Sequence, residues 1–238
     1  MSLFIFFSYS GYIFLKKKNY FHVIVFSVFT DLLINTKILG IIPISLFSII
    51  YIYNYLNTSK KIISEKNIII LFLFTTIILI YILWPYLWSN PIVNLYFAFK
   101  NILVAHENLI VVNYYFGNYL QSDMMPWHYR IVWFLITTPI IILLLFLVGM
   151  TYQGKKTFDI LKKSLNKNYS FNNDLFFDLY FFLTFIVTFF IVIELNASKF
   201  GGWRHLYFLY PIVIYFTIYC VNFIKNKFEN KLFKIILV

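Results

Sequence analysis

The chain divides into seven apolar runs separated by short polar segments. The runs cover residues 2–15, 20–34, 38–56, 67–88, 131–150, 175–195 and 206–223. Hydrophobic residues make up 61% of the chain and charged residues only 12%. A soluble domain cannot bury so much apolar surface, and helices are the open-chain structure that satisfies backbone polar groups in lipid. We therefore expect one transmembrane domain over residues 1–238, an all-α polytopic membrane helix bundle with about seven spans.

Most basic residues fall in every second polar segment. Because successive spans cross the membrane in opposite directions, these segments all lie on one side of it. Fifteen of the 20 do so: Lys16, Lys17, Lys18, Lys60, Lys61, Lys66, Lys155, Lys156, Lys162, Lys163, Lys167, Lys225, Lys227, Lys231 and Lys234. The positive-inside rule predicts that this side is cytoplasmic, with the N-terminus outside and the C-terminus inside. The net charge of +11 then indicates contact with anionic lipid headgroups, and no nucleic acid partner is expected.

Two connections between the runs are long. The predicted outer loop, residues 86–130, is aromatic throughout, carries little charge and contains a helical-looking stretch over 94–112. Such a stretch is typical of a re-entrant or interfacial helix lying along the headgroups. The predicted inner loop, residues 151–174, is basic and rich in asparagine, which is typical of a solvated cytoplasmic connection. All five tryptophans fall on the outer side.

The first candidate motif is Pro-Trp-His-Tyr-Arg, just before the fifth run. Trp127 and Tyr129 have amphipathic rings that favour the membrane interface. His128 titrates near neutral pH, and Arg130 has the planar donor fork that binds phosphate. Two interpretations remain open from the residues alone. The segment is either an aromatic belt with a snorkelling arginine or part of a binding site.

The second candidate motif is Gly-Gly-Trp-Arg-His, just before the seventh run. Two glycines allow a sharp turn or a close backbone approach, and Trp203, Arg204 and His205 follow at once. The cations Arg204 and His205 lie on the predicted outer face, against the charge trend of the chain. An anionic ligand at the outer leaflet would explain them. The alternative is a turn with an interfacial anchor.

Lys37 lies between the second and third runs and is the remaining cation of interest. A lysine at membrane depth is expensive and suggests a function, although Lys37 could instead cap a helical hairpin, with Asp31 as a salt partner. Metal chemistry is not indicated, because the chain has no Asp-x-Asp, Asp-Asp or Asp-Glu pair, and Cys220 is its single cysteine. We expect neither a metal site nor a cofactor.

Five stretches between residues 35 and 211 carry a resemblance to a known family. They are Asn35–Gly40, Trp84–Trp88 with Pro91, Tyr115–Gly117, Pro126–Arg130 continued by Ile136–Pro139, and Gly202–Pro211. Their order resembles the GT-C glycosyltransferases, specifically the dolichyl-phosphate-mannose protein mannosyltransferase-like group of bacterial membrane proteins. The resemblance covers roughly residues 20–220. The two tryptophan motifs with the Thr-Thr-Pro tail are specific in combination, and none is sufficient alone.

The resemblance implies a GT-C-like fold and hexosyl or mannosyl transfer from a polyprenyl-phosphate-linked sugar to a protein, lipid or glycan acceptor. The site would face outward from a bacterial inner (plasma) membrane, in agreement with the charge pattern. The residues implied to bind the donor phosphate are Lys37, Arg130, Arg204 and His205. The residues expected to line the site are Trp127, His128, Tyr129 and Trp203.

The chain departs from the family pattern at one point. The family's catalytic carboxylate lies in a long outer loop after its first span, and this sequence has no such loop. We therefore expect the chain to resemble the C-terminal portion of such an enzyme, with an upstream-encoded N-terminal fragment as a candidate partner and the catalytic residue unassigned. The alternative function is a non-catalytic polyprenyl-phosphate-binding protein or a lipid-linked sugar flippase.

Overall fold

A computed structural model describes residues 1–57, 63–108, 110–165, 172–194 and 201–236. Its α-helices are α1 (Ser2–Lys17), α2 (Tyr20–Thr36), α3 (Ile41–Asn57), α4 (Ile63–Leu83), α5 (Pro91–Asn108), α6 (Tyr129–Thr137), α7 (Ile140–Leu165), α8 (Asn173–Glu194) and α9 (Tyr210–Ile236). Short 3₁₀ helices cover Ile38–Gly40, Pro85–Leu87 and Arg204–Leu209. The expectation of a predominantly helical membrane bundle is confirmed.

The seven apolar runs are largely helical, although the run 131–150 is divided between α6 and α7. Within the described residues, four helical segments are long and apolar enough to cross a membrane: Lys66–Leu83, Ile140–Asp159, Asn173–Glu194 and Arg204–Lys227. Two of the others, α2 and α3, are apolar but shorter. The short connections make successive long helices antiparallel, so the bundle has two ends. Lys16, Lys66 and Lys162 lie at one end, named the lysine-rich end here, and Lys37, Arg130 and Arg204 lie at the other, the motif end.

Aromatic side chains fill the interior of the bundle. α2 packs between α1 and α4, α3 packs on α8, and α7 packs on α8 and α9. The Phe47 ring contacts the rings of Phe7 and Phe26 from α1 and α2, and also that of Phe176 from α8. α7 approaches α9 closely at Gly149, where an added Cβ would lie 2.1 Å from the carbonyl oxygen of Phe216. Small residues allow such close helix contacts in membranes.

A break separates α6 from α7. Thr138 has an extended backbone, with φ −86° and ψ 128°, because the following Pro139 disfavours the helical conformation at that position. Pro139 immediately precedes α7, and its carbonyl accepts the first hydrogen bond of that helix from the N–H of Leu143. The break leaves α6 as a separate nine-residue helix at the motif end, and both of its ends carry residues of the candidate motifs.

The predicted outer loop contains a β-hairpin that the all-α expectation omitted. Strands β1 (Val112–Tyr115) and β2 (Asn118–Gln121) pair antiparallel, with Tyr115 opposite Asn118. The turn residues Phe116 and Gly117 have φ angles of 47° and 84°, and positive φ at both positions is the signature of a type I′ turn. The helical stretch predicted over 94–112 overlaps α5, which begins at Pro91 and ends at Asn108, but its last residue, Val112, belongs to β1.

The predicted inner loop is also more regular than the sequence suggested. α7 continues to Leu165, so the first fifteen residues of the segment 151–174 are helical. Its basic residues Lys155, Lys156 and Lys162 therefore lie on a helix, and Lys162 is in the last turn, where positive charge interacts favourably with the helix dipole. α8 begins at Asn173, and the side chain of Asn172 accepts a hydrogen bond from the Leu175 N–H at 2.9 Å.

Candidate functional site

Lys37 and His205 meet at the motif end, although 168 positions separate them in the chain. Lys37 follows the last residue of α2 with an extended backbone, φ −160° and ψ 119°, so its side chain leaves the helix. Its Nζ donates to the carbonyl oxygen of His205 at 2.7 Å and lies 3.3 Å from the His205 Nδ1. Two of the four predicted phosphate-binding residues are thus in direct contact.

Arg130 lies in the first turn of α6 and is 3% exposed. Its Nη1 donates to the carbonyl oxygen of Val192 at 3.3 Å, which connects the start of α6 to the end of α8. Burial lowers the pKa of the guanidinium to about 10, since desolvation disfavours the charged form. Arg130 is therefore still cationic at neutral pH.

The cations of the motif end lie close enough to influence one another. Burial lowers the pKa of Lys37, and the positive charges of Arg204 and Arg130 lower that pKa further. Each of these causes disfavours the protonated ammonium. A bound anion would act in the opposite direction, because it would attract all three charges and relieve their mutual repulsion. The electrostatics of this cluster therefore favour a negatively charged ligand.

The Pro-Trp-His-Tyr-Arg segment contributes both buried and exposed rings. Tyr129 is buried, its ring packs against Tyr115 at 5.2 Å, and its hydroxyl accepts a hydrogen bond from the Gly202 N–H at 3.2 Å. His128 is half-buried, with its ring 6.2 Å from that of Tyr115. Trp127 is 64% exposed, and its ring packs edge-on against His128. Trp127 thus lies on the protein surface, while Tyr129 joins the two predicted motifs.

The Gly-Gly-Trp-Arg-His segment is held by its tryptophan. Gly201 and Gly202 both have φ of 65°, the left-handed conformation that glycine adopts without strain. This turn directs Trp203 into the bundle, where the side chain is 3% exposed. Its indole Nε1 donates to the Thr137 Oγ1 at 2.7 Å, and its ring contacts Phe134. The Thr-Thr-Pro tail of the first motif therefore anchors the second motif.

An open pocket of about 330 Å³ lies between the hairpin, α6 and the second motif. Its lining residues are Asn113, Tyr114, Tyr129, Trp133, Thr137, Gly201, Gly202, Trp203 and Tyr207. Tyr129 and Trp203 were expected to line a site, whereas Trp127 and His128 are not among the lining residues. The sequence does not predict Asn113, Tyr114 or Tyr207 as lining residues, because their position depends on the hairpin and on the 3₁₀ helix Arg204–Leu209.

Among the acidic side chains that the structure describes, there is no second cluster. Asp31 accepts a hydrogen bond from Asn35 one helical turn away, so the structure gives no support to the expected pairing of Asp31 with Lys37. Asp123 and Glu194 are exposed, and the side chain of Glu107 lies outside the described residues. Within the described ranges, no group of three or more His, Cys, Asp or Glu side chains could hold a metal ion.

Comparisons of the chain with protein-family models, with curated proteins and with solved structures found no match.

Proposed function

We propose that the chain binds a polyprenyl-phosphate-linked sugar at its motif end and is a membrane glycosyltransferase of the GT-C type. The observation that carries this proposal is the convergence of cations from separate parts of the chain. Lys37 contacts His205 directly, and Arg204 and Arg130 are near enough to lower the pKa of Lys37. In a bundle of apolar helices such a cluster of charges costs free energy, which supports a functional role.

The phosphate group fits this cluster chemically. An ammonium carries three N–H donors, and the contacts of Lys37 with His205 use at most two of them. Guanidinium groups such as that of Arg204, which is exposed, bind phosphate oxygens in a bidentate manner. A polyprenyl phosphate carries its charge at headgroup level and its chain in the bilayer. In this proposal the motif end therefore faces the outer side of the membrane. The bundle that carries it has about seven spans.

The pocket beside the cations supports a sugar as the second part of the ligand. Its volume of about 330 Å³ is within the range of small-molecule sites. Trp133 and Tyr207 offer aromatic surface for the C–H faces of a hexose, while the side-chain amide of Asn113 offers hydrogen-bonding groups for its hydroxyls. Gly202 belongs both to this pocket and to the motif that carries Arg204, so sugar and phosphate can be bound side by side.

The proposed reaction is a direct displacement. An acceptor hydroxyl attacks the anomeric carbon of the sugar, the bond from that carbon to the phosphate oxygen breaks, and the acceptor proton passes to a general base. Lys37, Arg130 and Arg204 stabilise the charge that develops on the departing lipid phosphate. This electrostatic role needs no metal ion. The general base is not assigned to a residue of this chain.

The test is binding of a radiolabelled polyprenyl-phosphate hexose to the full chain in nanodiscs. Loss of a charged hydrogen bond, about 1.5–3 kcal/mol, predicts that Arg204→Ala weakens binding about 10- to 150-fold. The matched control is Lys100→Ala, an exposed cation on α5, which should bind like the unmodified chain. Equal affinity of Arg204→Ala and the control would refute the proposal.

A second measurement separates the transferase from the alternative function. Native membranes of the source cell, which contain the chain with any partner it needs, are supplied with the labelled donor, and sugar is measured in the acceptor fraction. Transfer is supported if label appears in the acceptor fraction with the unmodified chain and not with Arg204→Ala. Donor binding without transfer, or movement of the donor between leaflets, identifies a non-catalytic binding protein or a flippase instead.

A further inference from the structure

A second groove lies at the lysine-rich end of the bundle, away from Lys37. It has a volume of about 490 Å³ and is bordered by α3, α7 and α8. Its lining residues are Ile49, Ile50, Tyr53, Phe158, Leu161, Lys162, Leu179 and Leu183. The surface that these residues present to the groove is apolar, although Lys162 and Tyr53 have polar ends.

The groove opens where the three helices end or begin. Tyr53 is one turn from the end of α3, Lys162 is in the last turn of α7, and Leu179 is near the start of α8. Lys162 therefore marks the mouth of the groove. Lys155 lies seven residues before it, two turns away on the same face of α7, and both lysines are exposed.

Lipid is the occupant that the physical environment favours. In lipid there is no hydrophobic driving force for helix association, because lipid chains are as apolar as leucine side chains. An apolar groove between membrane helices is therefore filled by lipid chains as readily as by protein. Ile49 and Phe158 remain 61% and 67% exposed at its walls, which leaves the groove open along its length. A basic side chain at the mouth of an apolar groove matches an acyl chain that ends in an anionic headgroup.

We propose that this groove binds one acyl chain of an anionic phospholipid and that Lys162 binds the phosphate of its headgroup. The stem of Lys162 extends along the apolar surface while its ammonium reaches headgroup level, as lysines near helix ends do. Lys155 adds positive charge on the same face. The site is separate from the motif end, and it does not depend on the proposed glycosyltransferase function.

Native mass spectrometry of the full chain in detergent tests this proposal. Phosphatidylglycerol and phosphatidylcholine with the same acyl chains are the probes. We expect one phosphatidylglycerol to bind more tightly than any phosphatidylcholine. A lysine near the membrane surface contributes about 1 kcal/mol, so Lys162→Ala should weaken phosphatidylglycerol binding about fivefold. Lys66→Ala removes an exposed lysine at the same end but outside the groove, and should have no such effect.

A groove-filling variant separates the acyl chain from the headgroup. Ile49→Trp places a larger ring in the groove at an exposed position, so the bundle should fold normally, and it should displace the bound lipid while Lys162 is intact. Equal binding of the two phospholipids to the unmodified chain would overturn the proposal. So would an unchanged lipid affinity of Ile49→Trp, or equal losses in Lys162→Ala and Lys66→Ala.

Discussion

Alanine substitutions at Gly201 and Gly202 form a matched pair at the motif end. Comparing them separates an effect on ligand binding from an effect on folding stability. Both glycines have φ of 65°, so alanine at either position meets the same backbone penalty. Their surroundings differ. A Cβ on Gly201 would lie 2.6 Å from Nε of Arg204, an exposed and flexible side chain. A Cβ on Gly202 would lie 3.2 Å from the ring of Trp133, and Gly202 is itself buried.

The magnitudes follow from these contacts. The left-handed conformation costs an L-residue about 1–2 kcal/mol, so each variant should lose that much unfolding free energy. Gly202→Ala also crowds Trp133, which adds about 1–3 kcal/mol for overpacking. Gly201→Ala meets little further resistance, because the arginine moves aside. That movement displaces the guanidinium that the proposed site uses, so the loss should appear in phosphate affinity.

Two measurements on the same protein samples make the comparison. Unfolding free energies come from titration with SDS in mixed micelles, and affinities come from polyprenyl-phosphate binding in nanodiscs. We expect Gly202→Ala to be the less stable variant and Gly201→Ala to bind polyprenyl phosphate more weakly than its stability loss explains. Equal destabilisation by both variants, with no change of affinity in Gly201→Ala, would refute the reasoning.

Three further outcomes are expected from SDS titration. Thr137→Val removes the acceptor of the buried Trp203 indole N–H and should lower the unfolding free energy by about 1–3 kcal/mol; no loss would exclude the hydrogen bond. Tyr215→Phe removes the donor that lies 2.5 Å from the buried Asp178 carboxyl and should cost about 1.5–3 kcal/mol. The lowered pKa of Lys37 means that the unfolded chain binds more protons between that pKa and 10.5. The unfolding free energy should therefore rise with pH across this window, and a Lys37→Met variant with the same slope would contradict it.

The sequence predicts the helices well because lipid leaves the backbone few alternatives. The apolar run 20–34 corresponds to α2, which ends at Thr36, and the run 38–56 corresponds to α3. The hairpin was missed for a local reason. Type I′ turns usually carry Asn-Gly or Asp-Gly, whereas this turn places Phe116 at φ 47°, where a bulky residue is uncommon. The aromatic residues around it resembled a membrane interface segment.

The candidate cations were identifiable because they oppose the charge trend of the chain, but their partners were not. Helical spacing suggests Asp31 as a salt partner of Lys37, but that spacing applies only while the helix continues. α2 ends at Thr36, and the extended backbone of Lys37 directs its ammonium to His205. Asp31 instead accepts from Asn35, which lies on its own face of the helix. A contact across 168 residues depends on the packing of the whole bundle.

The two tryptophan motifs divide their residues between structure and binding. Trp203 and Trp127 were both compatible with an interfacial belt, yet Trp203 is 3% exposed and Trp127 is 64% exposed. Trp203 fixes the second motif to Thr137, and Tyr129 fixes it to the first motif through Gly202. Arg204 follows Trp203 immediately and is exposed. Because the anchoring side chain and the cation are adjacent in the chain, the burial of the tryptophan determines where the arginine can reach. Substitution of Trp203 therefore changes folding and binding together, and only substitution of Arg204 isolates the contribution of its charge.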